Sequence, residues 1–273
     1  MNEPYQAAPD VYVLPTYFPI PGIGLLPINA FVIMAEEPVL VDTGIGIEGE
    51  GFLKALRSVI APGDLRWVWL THDDSDHTGS IQRVMELAPR ARLLTHALCA
   101  IRMSAAWPVP LHRVYALSPG ESISVGDRKL MAIKPPLFDN PMSIGIYDDK
   151  SGCLFSVDSF GAILPGQGKT ADDFPEEVLT QGIVAWHTID SPWVHLVNKR
   201  KFSRALERIR QMAPGIILSG HLPPALGRTD RLLEVLASLP MAQPFVAPNQ
   251  AVFGQIVAQM TAAPPGLLPG RQS

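Results

Sequence analysis

Apolar positions along this chain recur at two spacings, and the switches between them mark its elements. Short runs dominated by β-branched, aromatic and leucine residues, Val11 to Phe18, Asn29 to Met34, Pro38 to Val41 and Leu65 to Leu70, read as strands. Glu48 to Ile60 and Gly79 to Leu87 space their apolar residues three and four apart and read as helices, the second ended by Pro89. Ala91 to Thr95 is a further strand and Ala97 to Ala105 a short helix. From Ser122 the pattern returns to strands, Ser122 to Val125, Lys129 to Lys134, Ser143 to Tyr147 and Cys153 to Val157, with Asp148-Asp149-Lys150-Ser151-Gly152 as a hairpin turn. Helices at about Pro175 to Thr188 and Val194 to Met212, a strand at Gly215 to Leu218, and helices near Thr229 to Ser238 and Gln250 to Met260 complete the pattern. Two strand-rich halves, each finished by helices, predict an α/β fold with sheets inside and helices outside. A single domain over 1–262 is expected, with the Pro/Gly-rich residues 263–273 as a loose tail.

Composition narrows the class. A chain of 273 residues that is 47% apolar can bury a sizeable core. Its net charge of −4 and the lack of a long Lys/Arg run argue against nucleic-acid binding. The acidic start MNEPYQAAPD has neither the basic segment nor the apolar run of a signal peptide or membrane span, so a cytoplasmic protein without membrane association is expected. Cys99 and Cys153 lack framework spacing and read as buried free thiols. No segment has an interface signature, and a homodimer is the class expectation only.

The chemistry is concentrated in Thr71-His72-Asp73-Asp74-Ser75-Asp76-His77-Thr78-Gly79, between an apolar strand and a helix start. Imidazole nitrogen and carboxylate oxygen are the ligands that divalent metal ions favour. Alternate residues of an extended stretch point the same way, so His72, Asp74 and Asp76 are expected to converge, with His77 entering from the first helical turn. Asp and Ser also serve as ordinary turn and cap residues, and that plainer role is the alternative for the loop. Two later strands end in residues of the same chemistry, Asp158 and His221, each unremarkable alone but suggestive beside the loop.

Taken together, Val41-Asp42-Thr43-Gly44, the Thr71 to Gly79 loop, Asp158 and Ser219-Gly220-His221 resemble the metallo-β-lactamase superfamily over nearly the whole chain. The resemblance implies an αββα sandwich with two metal ions at the sheet edges. It further implies that Asp42 supports the ligand loop, that Asp158 bridges the ions and that His221 is the last histidine ligand. Hydrolases of the superfamily carry HxHxDH where this chain has HxDxDH. A carboxylate in that place, normally glutamate, resembles the flavodiiron proteins, the related oxygen-binding diiron proteins and a diiron oxygenase branch. Phe155-Ser156-Val157-Asp158-Ser159-Phe160-Gly161 resembles the bridging-aspartate segment of the flavodiiron group. No flavodoxin-like segment follows, so electrons are expected to come from a separate donor.

Two departures qualify the expected site. The family places a histidine where this chain reads Pro135-Pro136-Leu137-Phe138-Asp139-Asn140-Pro141, so Phe138 is expected at the ligand position, and phenylalanine cannot bind an ion. Asp74 is shorter than glutamate by a methylene, a reach deficit of roughly 1.5 Å. The position built on His72, Asp74 and Asp158 is therefore expected to need water, Asp139 or substrate to complete it and to be under-occupied, whereas Asp76, His77, Asp158 and His221 form a full set.

Three readings remain open from the sequence. Three aspartates, Asp74, Asp76 and Asp158, offset more metal charge than the usual hydrolase set and favour a higher oxidation state, so iron is preferred and zinc is the alternative. The favoured function is a diiron protein that binds or reduces dioxygen or a related small oxidant. A hydrolase of an ester, thioester, lactone or phosphoester, and a degenerate metal-binding protein, are the others. Asp76 would orient a metal-bound hydroxide or water in either enzymatic scheme. Trp186, His187, Trp193 and His195 are expected to wall a pocket with Phe138 or to pack a helical face; His96 and His112 are expected to play no part in it.

Overall fold

The structure, a computed structural model, describes residues 1–262; the expected tail lies outside them. The first half runs β1 (Tyr5–Ala8), β2 (Val11–Ile20), β3 (Gly24–Ile33), β4 (Val39–Val41), α1 (Gly49–Val59), β5 (Trp67–Trp69), the single turn α2 (Ser75–Thr78), α3 (Ile81–Leu87), β6 (Arg92–Thr95), α4 (Ala97–Met103) and β7 (Val114–Ala116). The second half runs β8 (Ser122–Ser124), β9 (Lys129–Ile133), β10 (Gly145–Asp148), β11 (Cys153–Phe155), α5 (Glu176–Asp190), α6 (Lys199–Met212), β12 (Ile216–Ser219), β13 (Leu222–Leu226), α7 (Thr229–Ser238) and α8 (Gln250–Ala262). A seven-stranded sheet has the order β1-β2-β3-β4-β5-β6-β7, and a six-stranded sheet the order β13-β12-β11-β10-β9-β8.

Alternation along the strands explains the layering. In β5, Trp67 and Trp69 face the core between the sheets, while Val68 faces a second core with Phe52, Leu53 and Leu56 of α1 and Val84 of α3. In β11 and β12, Cys153, Phe155, Ile216 and Leu218 face inward, and Leu154 and Ile217 face a third core with Leu179 and Ile183 of α5 and Leu206 of α6. Strands covered on both faces read as continuous apolar runs, and each large side chain so buried contributes about 1.5–3 kcal/mol. The expected αββα sandwich is the observed one.

Most expected elements are present, with corrections at their edges. The helix expected from Val194 starts at Lys199, capped by the Asn198 side chain on Lys201 N, because Pro192 to Leu196 forms a separate 3₁₀ turn. The helix expected from Gly79 starts at Ile81. Strands β1, β7 and β13 were not expected: β1 and β7 are short and partly exposed, and Pro223 and Pro224 mask β13, a sheet-edge strand where proline is tolerated. Cys99 and Cys153 are free and buried, as expected. Among the described residues no helix is long and apolar enough to cross a membrane.

The two sheets are joined near the ends of β5, β11 and β12. Asn29 of β3 donates through Nδ2 to Ser219 O (3.0 Å) and Leu222 O (2.9 Å), and its N–H reaches Gly220 O (2.8 Å). Every candidate ligand leaves the fold at this edge.

Candidate metal centre

The ligand loop is held by Asp42, which follows β4 in the left-handed region (φ 59°). Its carboxylate accepts from Thr71 N (2.8 Å) and Thr71 Oγ1 (2.9 Å), and its Oδ2 lies 2.8 Å from His77 Nδ1. A carboxylate on Nδ1 turns the opposite nitrogen, Nε2, into the site and raises its basicity. Thr43 ties the same turn, N–H and hydroxyl both reaching His77 O at 2.7 and 2.9 Å. Asp42 thus ties the two ends of the loop, Thr71 and His77, to the end of β4.

Asp158 arrives by a strained route. Val157 has φ 60° and Phe160 φ 67°, conformations costly for a β-branched or bulky residue that persist only where the surroundings enforce them. The enforcement is visible: Val157 O accepts from Gly220 N (2.7 Å) and Ser219 Oγ (3.1 Å), and Ser156 Oγ donates to Ser159 O (2.9 Å). His221 is oriented by Nδ1 against Pro27 O (2.8 Å), and the Trp186 ring packs on its ring with centroids 4.6 Å apart.

These supports bring the ligand atoms together. Asp158 Oδ1 lies 3.0 Å from His77 Nε2 and 3.2 Å from His221 Nε2, and Oδ2 lies 3.6 Å from His72 Nε2. Asp76 Oδ2 is 3.5 Å from His221 Nε2 and 3.7 Å from His77 Nε2, and Asp74 Oδ2 is 3.7 Å from His72 Nε2. Three sets of donors fall close enough to share an ion: His72, His77 and Asp158; Asp76, His77 and His221; and His72, Asp74 and Asp139. Bond lengths of about 2.1 Å imply ligand separations of about 3.0–3.4 Å around one ion, so the observed spacing fits metal coordination. His77 Nε2 and both oxygens of Asp158 are buried and unpaired by any aligned hydrogen bond. Buried polar atoms without partners are costly, and a shared cation is the partner that suits nitrogen and carboxylate alike.

The charges in the centre compensate one another. Burial alone would lower His77 and His221, yet Asp76, Asp42 and Asp158 hold His77 well above its ordinary range, and Asp158 and Asp76 raise His221. Burial alone would raise Asp158, but His72 and His77 draw it well below the usual carboxylate range. His72, more weakly surrounded by carboxylates, is lowered by burial.

Residues 26–221 match the family described as ODP family beta lactamase, a stretch running from β3 to His221 and including every candidate ligand. The chain belongs to this family. Within the metallo-β-lactamase superfamily it falls in the flavodiiron branch. It is 26% identical over 177 residues to a nitric oxide reductase of Moorella thermoacetica, covering 63% of this chain and 43% of the relative. In structure it is similar to rubredoxin oxygen:oxidoreductase from Desulfovibrio gigas, with a TM-score of 0.76 and 17% identity over 89% of this chain and 63% of that one. The flavodiiron protein from Giardia intestinalis gives a TM-score of 0.75 and 17% identity, over 88% of this chain and 60% of that one. The chain spans 35% and 43% of the length of two curated relatives it matches.

The six expected ligand residues, His72, Asp74, Asp76, His77, Asp158 and His221, all converge in this family member. Phe138 turns its ring to Trp193 (centroids 5.1 Å apart) and to Lys134 Nζ at 3.7 Å, while Trp193 Nε1 donates to Phe138 O (2.8 Å). Trp186 is a support of the centre, its Nε1 donating to Asp158 O (3.3 Å). His96 caps α4, accepting from Leu98 N, and His112 lies on an exposed turn. Sequence reasoning gave no role to Thr71, Asn140 or Asp190. Thr71 and Asn140 act through hydrogen bonds between segments far apart in the chain; Asp190, at the end of α5, is pushed up to about 7 by burial and by the Asp158 charge.

His187 is fully buried on α5, with neither ring nitrogen hydrogen-bonded. Burial lowers it to about 3, against about 6.5 in an unfolded chain. Between these values the unfolded chain takes up a proton that the folded one refuses, so stability is fully present above pH 6.5 and lost as pH falls towards 3. The metal-free protein is expected to lose about 3 kcal/mol through this group between pH 6.5 and 4. Urea unfolding should show a shallower acid slope in His187→Leu; an unchanged slope would contradict the assignment.

Proposed function

We propose that this chain holds a dinuclear iron centre that binds or reduces dioxygen or nitric oxide. The observation that carries the reading is Asp158, whose buried oxygens lie 3.0 Å from His77, 3.2 Å from His221 and 3.6 Å from His72, with a carboxylate, Asp74, 3.7 Å from His72 where a hydrolase carries histidine. His77, His221 and Asp76 would hold one ion, His72 and Asp74 the other, and Asp158 both. Iron so held supplies single-electron chemistry and open positions for a diatomic ligand. The protein's own part is to fix the donors, to keep His77 and His221 in one ring orientation through Asp42 and Pro27 O, and to exclude water with the Trp186 side. Asp76, partly exposed, lies where it would orient a small ligand at the mouth. Relatives named as a nitric oxide reductase and a rubredoxin oxygen:oxidoreductase support the choice of substrate and an electron donor outside this domain.

The test is consumption of each gas. Protein loaded with ferrous iron and supplied with an excess of reduced flavin should remove dioxygen or nitric oxide faster than flavin alone, and His221→Ala should lose the excess rate. No protein-dependent consumption, with zinc-loaded protein turning over an ester, thioester or lactone, would establish hydrolysis instead.

A further inference from the structure

The segment between β9 and β10 is fixed at nearly every residue. Ser159, next to Asp158, accepts from Leu137 N (3.0 Å) and donates to Leu137 O (2.7 Å). Trp193 holds Phe138 O, and Lys134 Nζ donates to Pro141 O (2.7 Å). Asn140 is buried, and its Nδ2 donates to Asp73 Oδ1 (2.7 Å) and Asp74 Oδ1 (2.9 Å), while its Oδ1 accepts from Met142 N (3.0 Å). The product of this framework is that an Asp139 oxygen, an Asp74 oxygen and a His72 ring nitrogen all lie within 4.8 Å of one another. Two carboxylates at that distance repel unless a proton or a cation lies between them. Asp139 is exposed, Asp74 half-buried and His72 buried, so the cluster opens to solvent on the Asp139 side. Asp158, buried with both oxygens unpaired, faces the same His72. A segment so firmly tied, holding like charges together beside a buried unpaired carboxylate, is built for a cation.

We propose that Asp139 is a metal ligand on the His72 side, filling the coordination place that its neighbour Phe138 cannot, and that the centre is therefore lopsided. One position then has a single histidine and three carboxylates, His72, Asp74, Asp139 and Asp158; the other has two histidines and two carboxylates, His77, His221, Asp76 and Asp158. The first is the harder ligand set and favours manganese or iron over zinc; the second accepts zinc readily. This inference rests on the dinuclear reading, but it specifies which residues divide the two ions and what each position prefers.

The experiment is a titration of metal-free protein with Mn(II) alone and with Zn(II) alone, followed by elemental counting of bound ions, for wild type, Asp139→Ala and Asp139→His. Wild type should take up two ions. Asp139→Ala should weaken one of them at least tenfold and leave the other unchanged, and Asp139→His should restore two with the preference moved towards zinc. Thermal melts separate ligation from a structural role: removing one of two facing carboxylates should leave the metal-free melting temperature at or above wild type and lower only that of the loaded protein. Two ions held by Asp139→Ala with wild-type affinity, or equal loss of melting temperature with and without metal, would overturn the assignment of Asp139 alone. A single ion in wild type would overturn the dinuclear reading as well.

Discussion

Asp158→Ala is expected to strip both ions from the protein. Its two oxygens face three different histidines, at 3.0 Å from His77, 3.2 Å from His221 and 3.6 Å from His72, so it reaches donors on both sides of the centre. Supporting groups around a metal are worth 10- to 100-fold in affinity each; a directly shared carboxylate, which also carries the charge that offsets both cations, is worth more on both sides at once. The side chain is 3% exposed, so water enters poorly to replace it. Elemental analysis after desalting should find neither ion retained, while circular dichroism should show the sandwich intact, because the bonds from Gly220 N, Ser219 Oγ and Ser156 Oγ that hold this turn do not involve the Asp158 side chain. One ion retained at wild-type affinity would show that Asp158 serves a single position.

Gly79→Ala should have the second largest effect, and through packing instead of ligation. A β-carbon at Gly79 would stand 2.5 Å from Gly44 O and closer still to backbone atoms of Ile45 and Gly46. All three are main chain and cannot rotate away. Gly79 N already donates to Gly44 O (2.7 Å), and Thr43 grips His77 O from the same side, so separating the two loops moves His77 directly. Overpacking of this kind costs about 1–3 kcal/mol and sometimes more, and the displaced His77 should release the ion it shares with His221. Differential scanning calorimetry and metal content should fall together. Gly166→Ala, where the added carbon meets nothing within 4 Å, is the control and should change neither. A Gly79→Ala protein with wild-type melting and metal content would mean that the loops are looser than their contacts indicate.

Much of this was legible in the sequence because the fold writes it in short range. Strands buried on both faces, such as Trp67-Val68-Trp69 and Cys153-Leu154-Phe155, announce themselves as apolar runs, and the HxDxDH loop places four donors within six residues. What stayed hidden depends on long-range contact. Asn140 clamps Asp73 and Asp74 from more than sixty residues away, and Ser159 pins Leu137 across the sheet edge; neither residue type is distinctive by itself. Phe138 at the family's histidine position pointed to a weakened site that water, Asp139 or substrate would complete, and only the folded chain shows that Asp139 lies within reach of His72 and Asp74. Strand β13 was missed because its prolines are acceptable only at a sheet edge, and edges are a property of the assembled fold.

Two iron ions sharing Asp158 are expected in the loaded protein. Elemental analysis together with Mössbauer spectroscopy on protein loaded anaerobically with ferrous iron tests this most directly. Two irons per chain are expected, in two resolved environments, the more oxygen-rich belonging to the His72 side and altered in Asp139→Ala. A single iron per chain, or a protein that rejects iron and retains two zinc ions while hydrolysing an ester or lactone, would contradict this expectation.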